Sequence, residues 1–101
     1  MAEIAEATAD FNEARGASLG HIYFIGGDEG PIKIGYSGKL FQRLRALKNS
    51  SPVPVRLLAA TPGSRAAERR YHERFAEYRL HGEWFDRVPD ILKEIARISK
   101  E

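Results

Sequence analysis

The chain has 101 residues, 43% of them hydrophobic and 30% charged, with no cysteine and a formal net charge of +2. One domain fits that length. The lack of cysteine excludes a disulfide framework and a thiolate metal site, and no apolar run reaches the roughly 20 residues of a membrane span. The N-terminal stretch MAEIAEATADFNEARG has no basic region ahead of a long apolar run, so it does not read as a signal peptide. A soluble, cytoplasmic protein is the expectation.

In chain order, residues 2–15 can form a helix, with Ile4, Thr8 and Phe11 on one stripe and Gly16 as its stop. Residues 21–26 and 31–37 are rich in Ile, Tyr and Phe and flank GGDEG, which predicts an antiparallel hairpin. A turn centred near Asp28 places Tyr23 across from Lys33, and Gly35 leaves room for a close backbone or helix. Residues 39–49 read as a helix stopped by NSSPVP. VRLLAAT (55–61) reads as a third strand, broken by PGS. Ser64 can cap a helix over 65–79, with Glu68 near the capping-box position. LHGEWF reads as a turn and a short extended piece. Pro89 starts a last helix to about Lys100, with Ile91, Ile95 and Ile98 on one face. Strands grouped with helices packed on them predict a small α+β fold.

Charge is unevenly placed. Glu3, Glu6, Asp10 and Glu13 make the first 14 residues acidic, with no basic residue among them. Residues 33–79 carry Lys33, Lys39, Arg43, Arg45, Lys48, Arg56, Arg65, Arg69, Arg70, Arg74 and Arg79 against Glu68, Glu73 and Glu77. A basic middle suits a polyanion such as nucleic acid; a solvated surface with a few ion pairs is the plainer alternative.

Several polar residues fall beside apolar stripes. Arg43 lies between Leu40, Leu44 and Leu47, where an arginine must meet an anion or reach water along its stem. Glu68 and His72 flank the apolar face of Ala67, Tyr71, Phe75 and Tyr78. Each has an ordinary structural explanation, an ion pair or a cap for Glu68 and packing for His72. Together, Tyr23, Lys33, Arg43 and Glu68 are parts for phosphodiester hydrolysis. A carboxylate can hold a divalent cation, a guanidinium can bind charge developing on phosphorus, and a tyrosine can pass a proton.

These residues resemble the motifs of the GIY-YIG endonuclease superfamily, in particular its small phage-type and meiotically up-regulated branch with a KIG second motif. HIY (21–23) stands where the family has GIY, and KIG (33–35) where it has YIG. KIGYSGKLFQRLRAL runs from the second motif to Arg43, and AAERRYHERFAEYRLHGEWF (66–85) matches a glutamate helix with a Glu-Trp-Phe ending. The resemblance covers about residues 20–86. It implies a three-stranded antiparallel sheet flanked by helices, here with an N-terminal helical extension (1–19) preceding the domain (20–101).

The resemblance also implies roles. Tyr23 matches the general base or proton relay, and Arg43 the arginine near the scissile phosphate. Glu68 matches the ligand of a single Mg2+ or Mn2+, and His72 a histidine frequent in the branch. Lys33 takes the place of the second tyrosine, where a lysine can bind phosphate or act as a base. Lys33, Tyr36, Lys39, Arg69 and Arg79 are the expected substrate contacts. The implied function is a metal-dependent endonuclease acting on nucleic acid, DNA ahead of RNA. The alternatives are a non-catalytic nucleic-acid-binding module of the same fold, or a protein-interaction domain. Whether the chain pairs into a homodimer is left open.

Overall fold

A computed structural model describes residues 20–100. The expected N-terminal helix over 2–15 lies outside the described residues. In order, the elements are β1 (Gly20–Gly26), β2 (Ile32–Ser37), α1 (Leu40–Ser50), β3 (Arg56–Gly63), α2 (Arg65–Arg74), a 3₁₀ turn (Ala76–Tyr78), β4 (Arg79–His81), β5 (Trp84–Phe85) and α3 (Pro89–Ser99). The strands form one antiparallel sheet ordered β3-β1-β2-β5-β4. The fold is the α+β type the sequence implied. Among the described residues no helix is long and apolar enough to cross a membrane.

The alternation of β1 divides the core in two. Ile22 and Phe24 point to one side, where Ile32, Ile34, Phe75, Phe85, Ile91 and Ile98 join them beneath α2 and α3. Tyr23 and Ile25 point to the other, where Leu40, Leu44 and Leu47 of α1 cover them. The leucine spacing of α1 and the isoleucine spacing of α3 therefore bury the predicted faces, each fully buried large side chain contributing about 1.5–3 kcal/mol.

Four details differ from the sequence expectation. The sheet has five strands rather than three, because LHGEWF closes into a tight β4–β5 hairpin around Gly82, whose φ of 55° suits glycine. The helix expected over 65–79 ends at Arg74 and tightens into the 3₁₀ turn. β3 runs through Pro62 to Gly63 instead of breaking at the proline. It lies at the sheet edge, where a residue without an N–H leaves no ladder bond unmade.

The fourth is the register of the first hairpin. Tyr23 pairs with Gly35, and Lys33 with Ile25. The turn is centred on Glu29 because Pro31 cannot donate to the ladder and Gly30 takes the left-handed φ of 85°. The slip is two residues, so Tyr23 and Lys33 keep a common face but stand diagonally.

Candidate functional site

The site forms on β2 where its partner strand runs out. β5 pairs with β2 only at Ile32 and Lys33. Beyond them, the Ile34 N–H donates to the Glu83 carbonyl at 2.9 Å. The Ile34 carbonyl lies 2.8 Å from His72 Nε2. A carbonyl only accepts, so His72 donates from Nε2. Its ring also stands edge-on to Phe85, with centroids 5.1 Å apart. His72 thus finishes the β2 ladder with a side chain.

On the α1 side, the Tyr23 ring is fully buried and its hydroxyl accepts from Arg43 Nη1 at 3.4 Å. The Arg43 backbone sits on an exposed position of α1 and its guanidinium reaches back to the phenol. Gly35 admits this arrangement. A Cβ there would overlap the Tyr23 phenol and stand 2.8 Å from Glu83 Oε1. The missing side chain therefore makes room for the tyrosine and the glutamate, not for a helix as the sequence suggested.

Lys33 Nζ lies 2.9 Å from Glu83 Oε1 and 5.7 Å from the Trp84 ring centroid. Trp84 therefore turns to the lysine, while Phe85, the next residue, anchors the core beside Ile91. Glu68 approaches from α2. Its N–H bonds the Ser64 carbonyl at 3.1 Å, and Ser64 Oγ accepts from Ala67 N at 3.4 Å. The cap is complete without a capping box, and the Glu68 carboxyl is within hydrogen-bonding reach of Glu83. Burial first, then the Glu83 charge and hydrogen bond, push the Glu68 carboxyl above its usual pKa, with His72 and Arg65 pulling the other way. Two carboxylates in contact favour a shared proton or a cation between them.

The structure therefore gathers Tyr23, Lys33, Arg43, Glu68 and His72 around Gly35 and Glu83. The expected substrate contacts divide. Tyr36 lies on the opposite sheet face, packed on the α2–α3 core with the Arg65 guanidinium 5.0 Å over its ring. Lys39 is the exposed N-cap of α1 and shares a shallow hollow with Gln42 and Arg43. Arg69 is exposed on α2. Arg79 Nε donates to the Gly82 carbonyl at 2.7 Å and so braces the turn that carries Glu83. Glu83 itself was missed in the sequence. Its signal was the Gly82–Glu83 pair ahead of two aromatic strand residues, which places a carboxylate at a hairpin turn beside β2.

A lysine, an arginine, a tyrosine and two carboxyl groups thus collect at one sheet edge. The T5orf172 domain model matches residues 20–100, so the chain belongs to that family. It is a phage-associated, nuclease-type domain, which gives the protein a nuclease-like or nucleic-acid-related function. No curated protein and no solved structure matches the chain.

Proposed function

We propose that the protein is a divalent-metal-dependent endonuclease of the GIY-YIG type, cutting nucleic-acid phosphodiester bonds with DNA preferred over RNA. The observation that carries this reading is the Tyr23–Arg43 hydrogen bond across Gly35, at the same sheet edge as the Glu68–Glu83 carboxyl pair. The family match to a nuclease-type domain supports it.

In this reading Arg43 binds the phosphate and the charge that builds on it, a charge-assisted contact that strengthens toward the transition state. The Tyr23 hydroxyl accepts from Arg43 and, with the residue fully buried, orients that guanidinium; it serves as a proton relay to a water or phosphate oxygen once substrate binding uncovers it. Lys33, tied to Glu83, serves as a fixed positive charge for phosphate rather than as a base. Glu68 would hold Mg2+ or Mn2+. The donor set fits a hard cation, since Glu68 offers carboxylate oxygens whose pKa burial and the nearby Glu83 charge push up, a strain that a double positive charge would offset. Among the described residues no group of three His, Cys, Asp or Glu side chains gathers there, so a bound ion would rely on Glu68 together with water and substrate oxygens. When bound, the ion supplies Lewis-acid stabilisation of the phosphate and the leaving oxygen. His72 positions the edge of β2 on which Gly35 and Lys33 lie.

The test is a cleavage assay on single-stranded DNA, duplex DNA and RNA with magnesium, manganese or EDTA. Arg43→Ala and Glu68→Gln are each expected to lose cutting by about 100-fold or more while melting like the wild type. Salt-sensitive binding with no cutting on any substrate would replace this reading with a binding module.

A further inference from the structure

A second cleft, of about 330 Å³, opens between α2, α3 and the β3 edge, lined in part by Thr61, Arg70, Tyr71, Arg74, Glu94 and Arg97. It lies across α2 from the candidate nuclease site. At 3.6 residues per turn, Arg70 is about 200° around the helix from Glu68, and Arg74 follows Arg70 by one turn.

Glu94 distinguishes this cleft from a surface hollow. It interrupts the Ile91–Ile95–Ile98 stripe of α3, yet its side chain is only 4% exposed. Its Oε2 accepts from the Tyr71 hydroxyl at 2.6 Å and from Arg97 Nη2 at 2.6 Å. Its Oε1 accepts from Arg97 Nε at 3.1 Å and pairs with Arg74 Nη1 at 3.4 Å. A buried ion pair adds little stability over apolar packing, but it does fix direction. The side chains of Arg74 and Arg97, which it anchors, are 54% and 56% exposed. Arg70 stands beside them, exposed and without a hydrogen bond or ion pair among the described residues. Three guanidiniums thus face one carboxylate whose oxygens are already engaged.

We propose that this cleft is a second phosphate-binding site, which grips the nucleic-acid backbone on the far side of α2 from the site of cutting. Planar guanidinium forks match phosphate oxygens in pairs. The proposal rests on the nucleic-acid part of the reading above and does not require cleavage.

The test is fluorescence anisotropy of a labelled duplex and of its single strand, in EDTA and across a salt series. Arg70→Ala is expected to weaken binding about 3- to 10-fold at physiological salt and to lower the slope of log affinity against log salt by about 1. Arg70→Glu should weaken it further. Lys48→Ala, the same charge change on the exposed last turn of α1, is the control and should leave the slope nearly unchanged. Equal effects of Arg70→Ala and Lys48→Ala would reduce the cleft to bulk charge and overturn the proposal. So would saturable binding of inorganic phosphate together with undiminished oligonucleotide binding by Arg70→Ala, which would mark a small-anion site. A wild-type protein that binds as described but never cuts defeats the nuclease reading alone; one that cuts normally while Arg70→Ala binds unchanged defeats this proposal alone.

Discussion

Replacing Gly35 with alanine tests the packing on which the whole site depends. The φ of Gly35 is not in the left-handed region, which among the described glycines belongs to Gly30 and Gly82. The backbone therefore accepts alanine without strain, and the smaller freedom of the unfolded chain favours the variant by about 0.5 kcal/mol. Against this, the new methyl would overlap the end of a fully buried tyrosine and crowd Glu83. Glu83 can swing away. Tyr23 cannot, because Ile25 and Leu40 pack beside it. Overpacking of this kind costs about 1–3 kcal/mol, so the net loss should be about 1–2 kcal/mol. In a domain of this size that lowers the melting temperature by roughly 5–10 °C. Thermal unfolding followed by circular dichroism reads it directly. Gly38→Ala is the control, since nothing lies within 4 Å of a Cβ at that position, and it should be neutral or slightly stabilising. Tyr23→Phe removes the overlapping oxygen, so the double variant should recover at least about 0.5 kcal/mol of the Gly35→Ala loss. Equal melting of Gly35→Ala and Gly38→Ala would show that Tyr23 does not occupy the space above Gly35.

Other outcomes follow from the same contacts. The bonds from Arg97 above all, with Tyr71 and Arg74 helping against the cost of burial, hold the Glu94 carboxyl down at a pKa of about 2, well below the usual glutamate range. A depressed acid stabilises the fold above its unfolded pKa and loses that contribution as pH falls. Urea unfolding should therefore show about 2 kcal/mol disappearing between roughly pH 4.5 and 2, a figure reduced for the water that screens the exposed arginines. The Glu94→Gln curve should be flatter over that window, and a curve parallel to the wild type would contradict the assignment. In metal-free protein, Glu83→Gln removes the charge that helps raise Glu68, so the Glu68 carboxyl should titrate at lower pH by carbon-13 NMR; an unchanged titration would separate the two groups. His72→Ala strips the donor from the Ile34 carbonyl and a ring contact from Phe85. It should cost about 1–3 kcal/mol, whereas an unaltered melting curve would remove His72 from its place on the β2 edge.

Much of the fold was legible because its elements carry their own signals. The leucines of α1, the isoleucines of α3 and the Ser64 cap each lie within a few residues of one another, and local spacing decides which face is buried. Two features misled. LHGEWF is too short to show strand alternation, so the hairpin that delivers Glu83 was read as a turn with one extended piece. The register of the first hairpin depends on which loop residue adopts a positive φ, and GGDEG offers three glycines of which Gly30 takes it near the second strand.

The site divides along the same line. From the residues alone came the α+β class, the apolar faces, and the set of Tyr23, Lys33, Arg43 and Glu68 as parts that can act on a phosphodiester, because residue type and periodicity are properties of the chain itself; His72 joined them only through the family resemblance. Glu83 and Glu94 came only from the tertiary structure. Glu83 meets Lys33 fifty residues earlier in the chain, at 2.9 Å, because a two-residue strand docks against β2. Glu94 breaks an apolar stripe and is tolerated there because Tyr71 and Arg74 arrive from another helix to join Arg97 around it. A buried or paired charge is affordable only where its partners converge, and that convergence is set by packing between elements rather than by spacing within one.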